Sequence, residues 1–198
     1  MSVVSRTPTD LTIQPRDRAY GRTSQAQRWW MQGDPVKTAI MNALSATFPE
    51  GERFFIESVV AFKDKVDEPV KSQIKAFVRQ EAMHTREHIA FNDHIIQAGY
   101  DISGIEARSK YRLDIARSRH PVAQLAVTVA MEHFTALLAH DLLTSQGRLD
   151  GADPQTVNLW KWHSIEEIEH KAVAFDVYMN VTKGLSPFKR WSIRTRIM

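Results

Sequence analysis

Cysteine is absent from the 198-residue chain. That excludes disulfides, thiolate zinc sites and cysteine-ligated iron–sulfur clusters, and it fits a reducing cytoplasm. Tandem repeats and low-complexity tracts are also missing, and strand-type alternation is weak. What remains is long 3.6-period apolar segments punctuated by proline and glycine, which points to an all-α protein. The N-terminus lacks the apolar run of a signal peptide, and no segment is expected to approach the roughly 18 apolar residues of a spanning helix. The basic charge is not accompanied by a recognisable binding motif, so no nucleic-acid partner is expected. With 43% hydrophobic and 25% charged residues, the chain can bury one good core, as a single domain.

Against this apolar background, acids and histidines occupy core positions. Glu81 and His84 form one Glu-x-x-His pair and Glu167 and His170 a second; three residues apart on a helix, each pair projects from one face. Two lone glutamates join them. Glu52 lies on the stripe Leu44, Phe48, Glu52, Phe55, Val59, and Glu132 on Val122, Leu125, Val129, Glu132, Ala136. His163 precedes Glu167 by four residues and His170 by seven, so all three share one face. Each of four predicted helices therefore aims at least one acid inward. Burying an unpaired carboxylate costs several kcal/mol in order of magnitude. Two divalent cations resolve this: their charge balances four carboxylates, and the oxygen and nitrogen donors suit iron or manganese.

The levels of these residues agree as well. If the first two helices are antiparallel about a turn near Asp67-Glu68-Pro69, Glu52 lies 15 residues before Asp67 and Glu81 lies 14 after it, each about 22 Å from the turn. Around a second turn centred on Leu149, Glu132 lies 17 residues before and Glu167 lies 18 after.

Three regions follow from the punctuation. Residues 1–35 are polar and Arg-rich and read as an arm that wraps the bundle or stays loose, anchored by Trp29-Trp30. Residues 36–182 read as the metal-binding bundle. Its first helix runs from about 36 to 66, with Pro49 as a kink or restart, and its second from about 69 to 98, capped by Gly99. A long crossover over 100–120 carries a short helix within 106–118. Pro121 opens the third helix, and Asp153-Pro154 opens the fourth. Two antiparallel hairpins joined by one long crossover is the ferritin-like four-helix arrangement. Residues 183–198 carry Lys183, Lys189, Arg190, Arg194 and Arg196 without an acid, so the tail holds +5 of a net +3 and the remainder is near −2. Its interspersed Phe188, Trp191, Ile193 and Ile197 suit a bundle cap or a peripheral membrane contact.

Set side by side, these motifs resemble the ferritin-like di-iron carboxylate proteins. More narrowly, the stretches Phe48-Pro-Glu-Gly-Glu-Arg-Phe-Phe55, Gln80-Glu-Ala-Met-His-Thr-Arg-Glu-His88, Met131-Glu-His133 and Trp162-His-Ser-Ile-Glu-Glu-Ile-Glu-His-Lys171 resemble the bacterial family of predicted metal-dependent hydrolases. The resemblance implies a helical bundle with a dinuclear site, and a natural chain that continues past residue 198. The order His163, Glu167, His170 is similar to the fourth helix of di-iron arylamine N-oxygenases, which implies that His163 ligates one metal.

The expected metal ligands are therefore Glu52, Glu81, His84, Glu132, His163, Glu167 and His170. Glu81 and Glu132 are expected to bridge and Glu52 and Glu167 to be terminal. Around them, His88 is expected to donate a hydrogen bond or line the pocket. Glu50 and Glu57 are expected at the surface, and Glu87, Glu166 and Glu169 exposed or supporting the ligands. Phe48, Phe55, Phe77, Phe91 and Phe134 are expected in the core. The leading functional expectation is a di-iron enzyme that activates dioxygen and oxidises a small organic substrate, with an external electron donor. The alternatives are a dinuclear hydrolase with iron, manganese or zinc, and a non-catalytic metal-binding or storage bundle. A homo-oligomer fits each, and the expected location is the cytoplasm, with or without membrane contact.

Overall fold

Helix ends follow local chemistry in the computed structural model, which describes residues 8, 10–20 and 27–197. The first helix, α1 (Pro35–Val60), starts where the Asp34 carboxylate accepts the backbone N–H groups of Val36 and Lys37, with proline in the first turn. It stops at Val60, short of the expected Val66. A 3-10 turn (Lys63–Lys65) and extended backbone at Val66 carry the chain to α2 (Val70–Gln97). Gly99 ends α2 at φ +87°, a left-handed conformation that any other side chain would strain, while the Tyr100 N–H closes back on the Ile95 carbonyl.

The long connection contains α3 (Ser103–Arg117), which packs on α1 and on α4 (Pro121–Thr144). Asp153 caps α5 (Pro154–His170) through the Thr156 N–H, and after a two-residue break α6 (Val173–Val181) continues the fourth arm of the bundle. Helix α7 (Pro187–Thr195) covers part of α4. The described residues contain no strand. The protein is an all-α bundle: α1 packs beside α2 and α4, α5 packs beside α4 and α2, and each hairpin is antiparallel because its connection is short.

Two apolar cores flank a polar middle layer. One gathers Phe54, Val59, Phe77, Leu125, Val177 and Tyr178; the other gathers Trp30, Phe91, Ile95, Leu159 and Trp160. Trp30 is buried, with its indole N–H on Asn42 Oδ1 at 2.8 Å, whereas Trp29 is exposed against Tyr100. The anchor of the arm is therefore Trp30. Of the arm itself, residues 14–20 lie against α2 and α5; residues 1–7, 9 and 21–26 lie outside the described residues.

Two expectations are corrected here. Phe134 is 52% exposed rather than core. Helix α4 is also long and apolar enough to cross a membrane by length and composition, with a window of mean hydropathy 1.5. Unbroken apolar runs miss this because Thr128, Glu132, His133 and Thr135 interrupt the helix, while its Val, Ala and Leu carry the average. The face that holds Leu125, Thr128 and Glu132 is packed inside the bundle.

Candidate metal centre

The middle layer is built from one level of each arm. Glu52 comes from α1, Glu81 and His84 from α2, Glu132 from α4, and His163, Glu167 and His170 from α5; all seven are buried. Their donor atoms fall into three overlapping groups within 4.8 Å: Glu52, His84 and His163; Glu81, His84 and Glu167; Glu81, Glu132 and His170. Every residue expected to bind metal is thus brought into one cluster. Glu50 is not among them. It pairs with Arg117 at 2.7 Å near the surface, as does Glu57 at 2.8 Å.

Within the cluster Glu167 is the most central acid. Its Oε1 lies 3.0 Å from His163 Nε2, 3.6 Å from His84 Nδ1 and 3.5 Å from His170 Nε2. Glu81 reaches His170 Nε2 at 3.1 Å and His84 Nδ1 at 3.8 Å. Glu132 approaches His170 alone, at 3.5 Å, and Glu52 approaches His163 at 3.8 Å. Among the described residues, buried donor atoms are left without hydrogen-bond partners here: both oxygens of Glu81 and Glu132, one each of Glu52 and Glu167, His84 Nδ1 and His170 Nε2. Orphaned atoms are rare in folded interiors. Their convergence on one volume fits cations, because no internal donor could satisfy so many lone pairs at once.

Protonation repeats the same electrostatic demand. Burial pushes the Glu52 and Glu132 carboxyls well above the usual range, reinforced for Glu52 by Glu81. Burial also opposes charge on His84 and His170, but the acids win. Glu166 and Glu81 lift His84 to about 9, and Glu167 and Glu132 raise His170 well above its ordinary value. Glu167 and Glu81, although buried, are held low by these imidazoles. Without cations the cluster gathers protons in their place.

A second layer of buried polar side chains fixes each ring. His84 donates from Nε2 to Glu166 Oε2 at 3.1 Å, which leaves Nδ1 facing the cluster. His170 donates from Nδ1 to Gln80 Oε1 at 3.0 Å, leaving Nε2. Gln80 and Glu166 are in turn held by the arm: the Arg16 N–H donates to Glu166 at 2.9 Å, Arg16 Nη1 to Glu169 at 3.0 Å, and Gln80 Nε2 to Glu169 at 3.0 Å. Glu87, Glu166 and Glu169 are all buried. Of the two expected fates, exposure is therefore corrected for all three, and Glu166 and Glu169 take the supporting one.

The third ring is set through a proline. Pro49 has no N–H to give the Ser45 carbonyl one turn earlier, and Asn92 Nδ2 donates to that carbonyl at 3.3 Å. The Asn92 amide oxygen is thereby turned to accept the Ser45 hydroxyl at 2.6 Å. Ser45 Oγ then accepts from His88 Nδ1 at 2.8 Å, so His88 Nε2 must accept the Nδ1–H of His163 at 2.6 Å. His163 Nε2 then faces Glu52 and Glu167, its lone pair open to a cation and, without one, sharing a proton with Glu167 Oε1 at 3.0 Å. Burial lowers the pKa of both His88 and His163, as this neutral chain requires.

The family model of the predicted metal-dependent hydrolases matches residues 14–198. The chain belongs to that family. No curated protein and no solved structure matches it. The matched span contains all seven cluster residues together with Arg16, Ser45, Gln80, His88, Asn92 and Glu166. Sequence reasoning left the supporting layer largely unnamed. One signal was present: Ser45 precedes Glu52 by seven residues and Asn92 follows His88 by four, so both extend a polar stripe in the core. Arg16 gave none, since nothing in an irregular arm predicts which carboxylates it meets.

Proposed function

We propose that the chain is a dinuclear metalloenzyme acting on a small molecule that enters from one side of the bundle. The observation that carries this reading is the set of orphaned carboxylate oxygens and imidazole nitrogens at one level, each ring held with a lone pair inward. Glu52 and His163 would hold one ion and Glu132 and His170 the other. Glu81 and Glu167, central in the cluster, would be shared, with His84 between them. This reassigns bridging from Glu132 to Glu167, since Glu132 approaches only His170. Family membership supports metal-dependent hydrolysis ahead of the oxidation expected first from the sequence. One observation favours dioxygen-dependent oxidation as the second reading: four carboxylates, three imidazoles and no thiolate, in a layer set between two apolar cores. The bound ions would supply Lewis acidity to activate water or, as iron, electrons to reduce dioxygen. The chain's own residues shield the centre. Phe48 lies with its ring 4.8 Å from that of His163, and Trp162 lies 4.9 Å from His84.

Protein expressed in medium supplemented with iron, manganese or zinc is expected to retain about two ions per chain. Hydrolysis of an ester or phosphoester panel under anaerobic conditions supports the first reading. Dioxygen consumption by the reduced iron form, without hydrolysis, supports the second. Full-length protein that retains no metal from any of the three media overturns both.

A further inference from the structure

A cavity of about 590 Å³ opens beside the cluster, bounded by α1, α4, α5 and the turn at 145–148, within the usual range for small-molecule sites. Its inner end is polar, formed by His163, Ser164 and Glu167. Its walls are mostly apolar, with Leu44, Met41, Leu142 and Trp160 within and the exposed Ile40 and Leu138 on the solvent side. Along α1 the lining runs from Phe48, one turn before Glu52, to Lys37 in the first turn. Eleven residues of helix span about 16 Å, the reach of an extended chain of roughly ten carbons.

The outer rim carries Lys37, Asp141 and Arg148. Arg148 is neutralised by Asp141 at 2.8 Å. Lys37 Nζ meets only the neutral amide oxygen of Gln32, at 3.1 Å, among the described residues. Among the described residues the mouth therefore has one cation without an anion, and the walls between are mostly apolar, with Thr135 and the unpartnered indole N–H of Trp160 as the polar groups along the way. At the inner end the Glu167 carboxylate lines the cavity and disfavours a further anion there.

We propose that this cavity binds an elongated apolar molecule with one anionic head group, the head at Lys37 and the tail pointing to Glu167 and His163. Burial of the tail provides affinity and the length of the cavity provides selectivity, so the reacting carbon lies near the far end of the tail. This deepens the proposed function only in taking the inner end as the reaction centre; ligand binding itself does not depend on the metals.

Binding of straight-chain carboxylates from hexanoate to tetradecanoate, and of the matching alcohols, is measured by calorimetry on metal-loaded and metal-free protein. Affinity is expected to rise roughly fourfold per methylene up to about ten to twelve carbons and then to level off or fall. Leu44→Trp and Leu138→Trp, which narrow the cavity, are expected to shift the optimum to shorter chains with metal content unchanged. Lys37→Ala is expected to bring the carboxylates down to the affinity of the alcohols. Affinity independent of chain length, or tryptophan variants that bind like the parent, overturns the assignment. Carboxylates that outbind alcohols equally well without Lys37 overturn the orientation. Two metals per chain with no alkyl binding sinks this inference and leaves the metalloenzyme reading standing. Length-dependent binding without any metal does the reverse.

Discussion

At the scale of single residues, the cluster is defined by what its atoms lack. Glu132 has both oxygens orphaned, with His170 at 3.5 Å as its ion-pair partner among the described residues and Glu81 close by. Glu132→Gln keeps the shape and, because burial already pushes this carboxyl well above its usual range in the metal-free protein, should fold normally. Metal analysis should show content falling from about two ions per chain to about one; unchanged content would remove Glu132 from the ligand set. Asn92 never approaches the cluster, yet its amide orients Ser45, His88 and His163 in turn. Asn92→Ala should therefore weaken binding of one ion about ten- to a hundredfold in chelator competition, with the other ion unaffected. Equal affinity for both ions in parent and variant would show that the relay does not set the ring.

At the scale of elements, the arm is a strap rather than a linker. Residues 14–20 lie across α2 and α5, and Arg16 grips Glu166 and Glu169, the former being the acid that holds His84. Arg16 is about a third exposed, so solvent screening limits the pair. Arg16→Ala should cost on the order of 1 kcal/mol by denaturant melts and should speed proteolysis within residues 10–20, with the helices still protected. Helix positions and the seven cluster residues were legible in the sequence because periodicity and capping are local, and because an acid on an apolar stripe has few explanations. The early stop of α1 at Val60, the break after His170 and the grip of Arg16 were not legible. The first two have no proline or glycine to mark them, and the third depends on contact between segments distant in sequence, which no local pattern encodes. The exposure of Phe134 was missed for a related reason: α4 is apolar nearly all round, so its pattern does not say which side faces the bundle.

At the scale of the whole molecule, cations and protons compete for one volume. His84, at about 9, and His170, well above its ordinary value, carry protons at neutral pH in the metal-free protein. Their raised values mean that this stabilisation is complete below the unfolded pKa of about 6.5 and is lost as pH rises through about 9. Metal loading must expel those protons. Titration of metal into weakly buffered protein should acidify the solution, and apparent affinity should fall as pH drops from about 8 to about 6. Chelation should lower the melting temperature, in line with about 4 kcal/mol for a ligand held at a thousandfold excess over its Kd. A chelated protein that melts at the same temperature and binds metal without releasing protons would contradict this competition.

Pro49 brings these scales together. Pro49→Ala would return a donor to the Ser45 carbonyl, and the ordinary helical bond would displace Asn92 from it. The metal-free fold should gain up to ~3 kcal/mol, while the amide, free to turn over, would no longer dictate which nitrogen of His163 is bare. Thermostability and metal retention should then move in opposite directions in one variant, so a gap left in a helix is the cost of keeping an imidazole aimed.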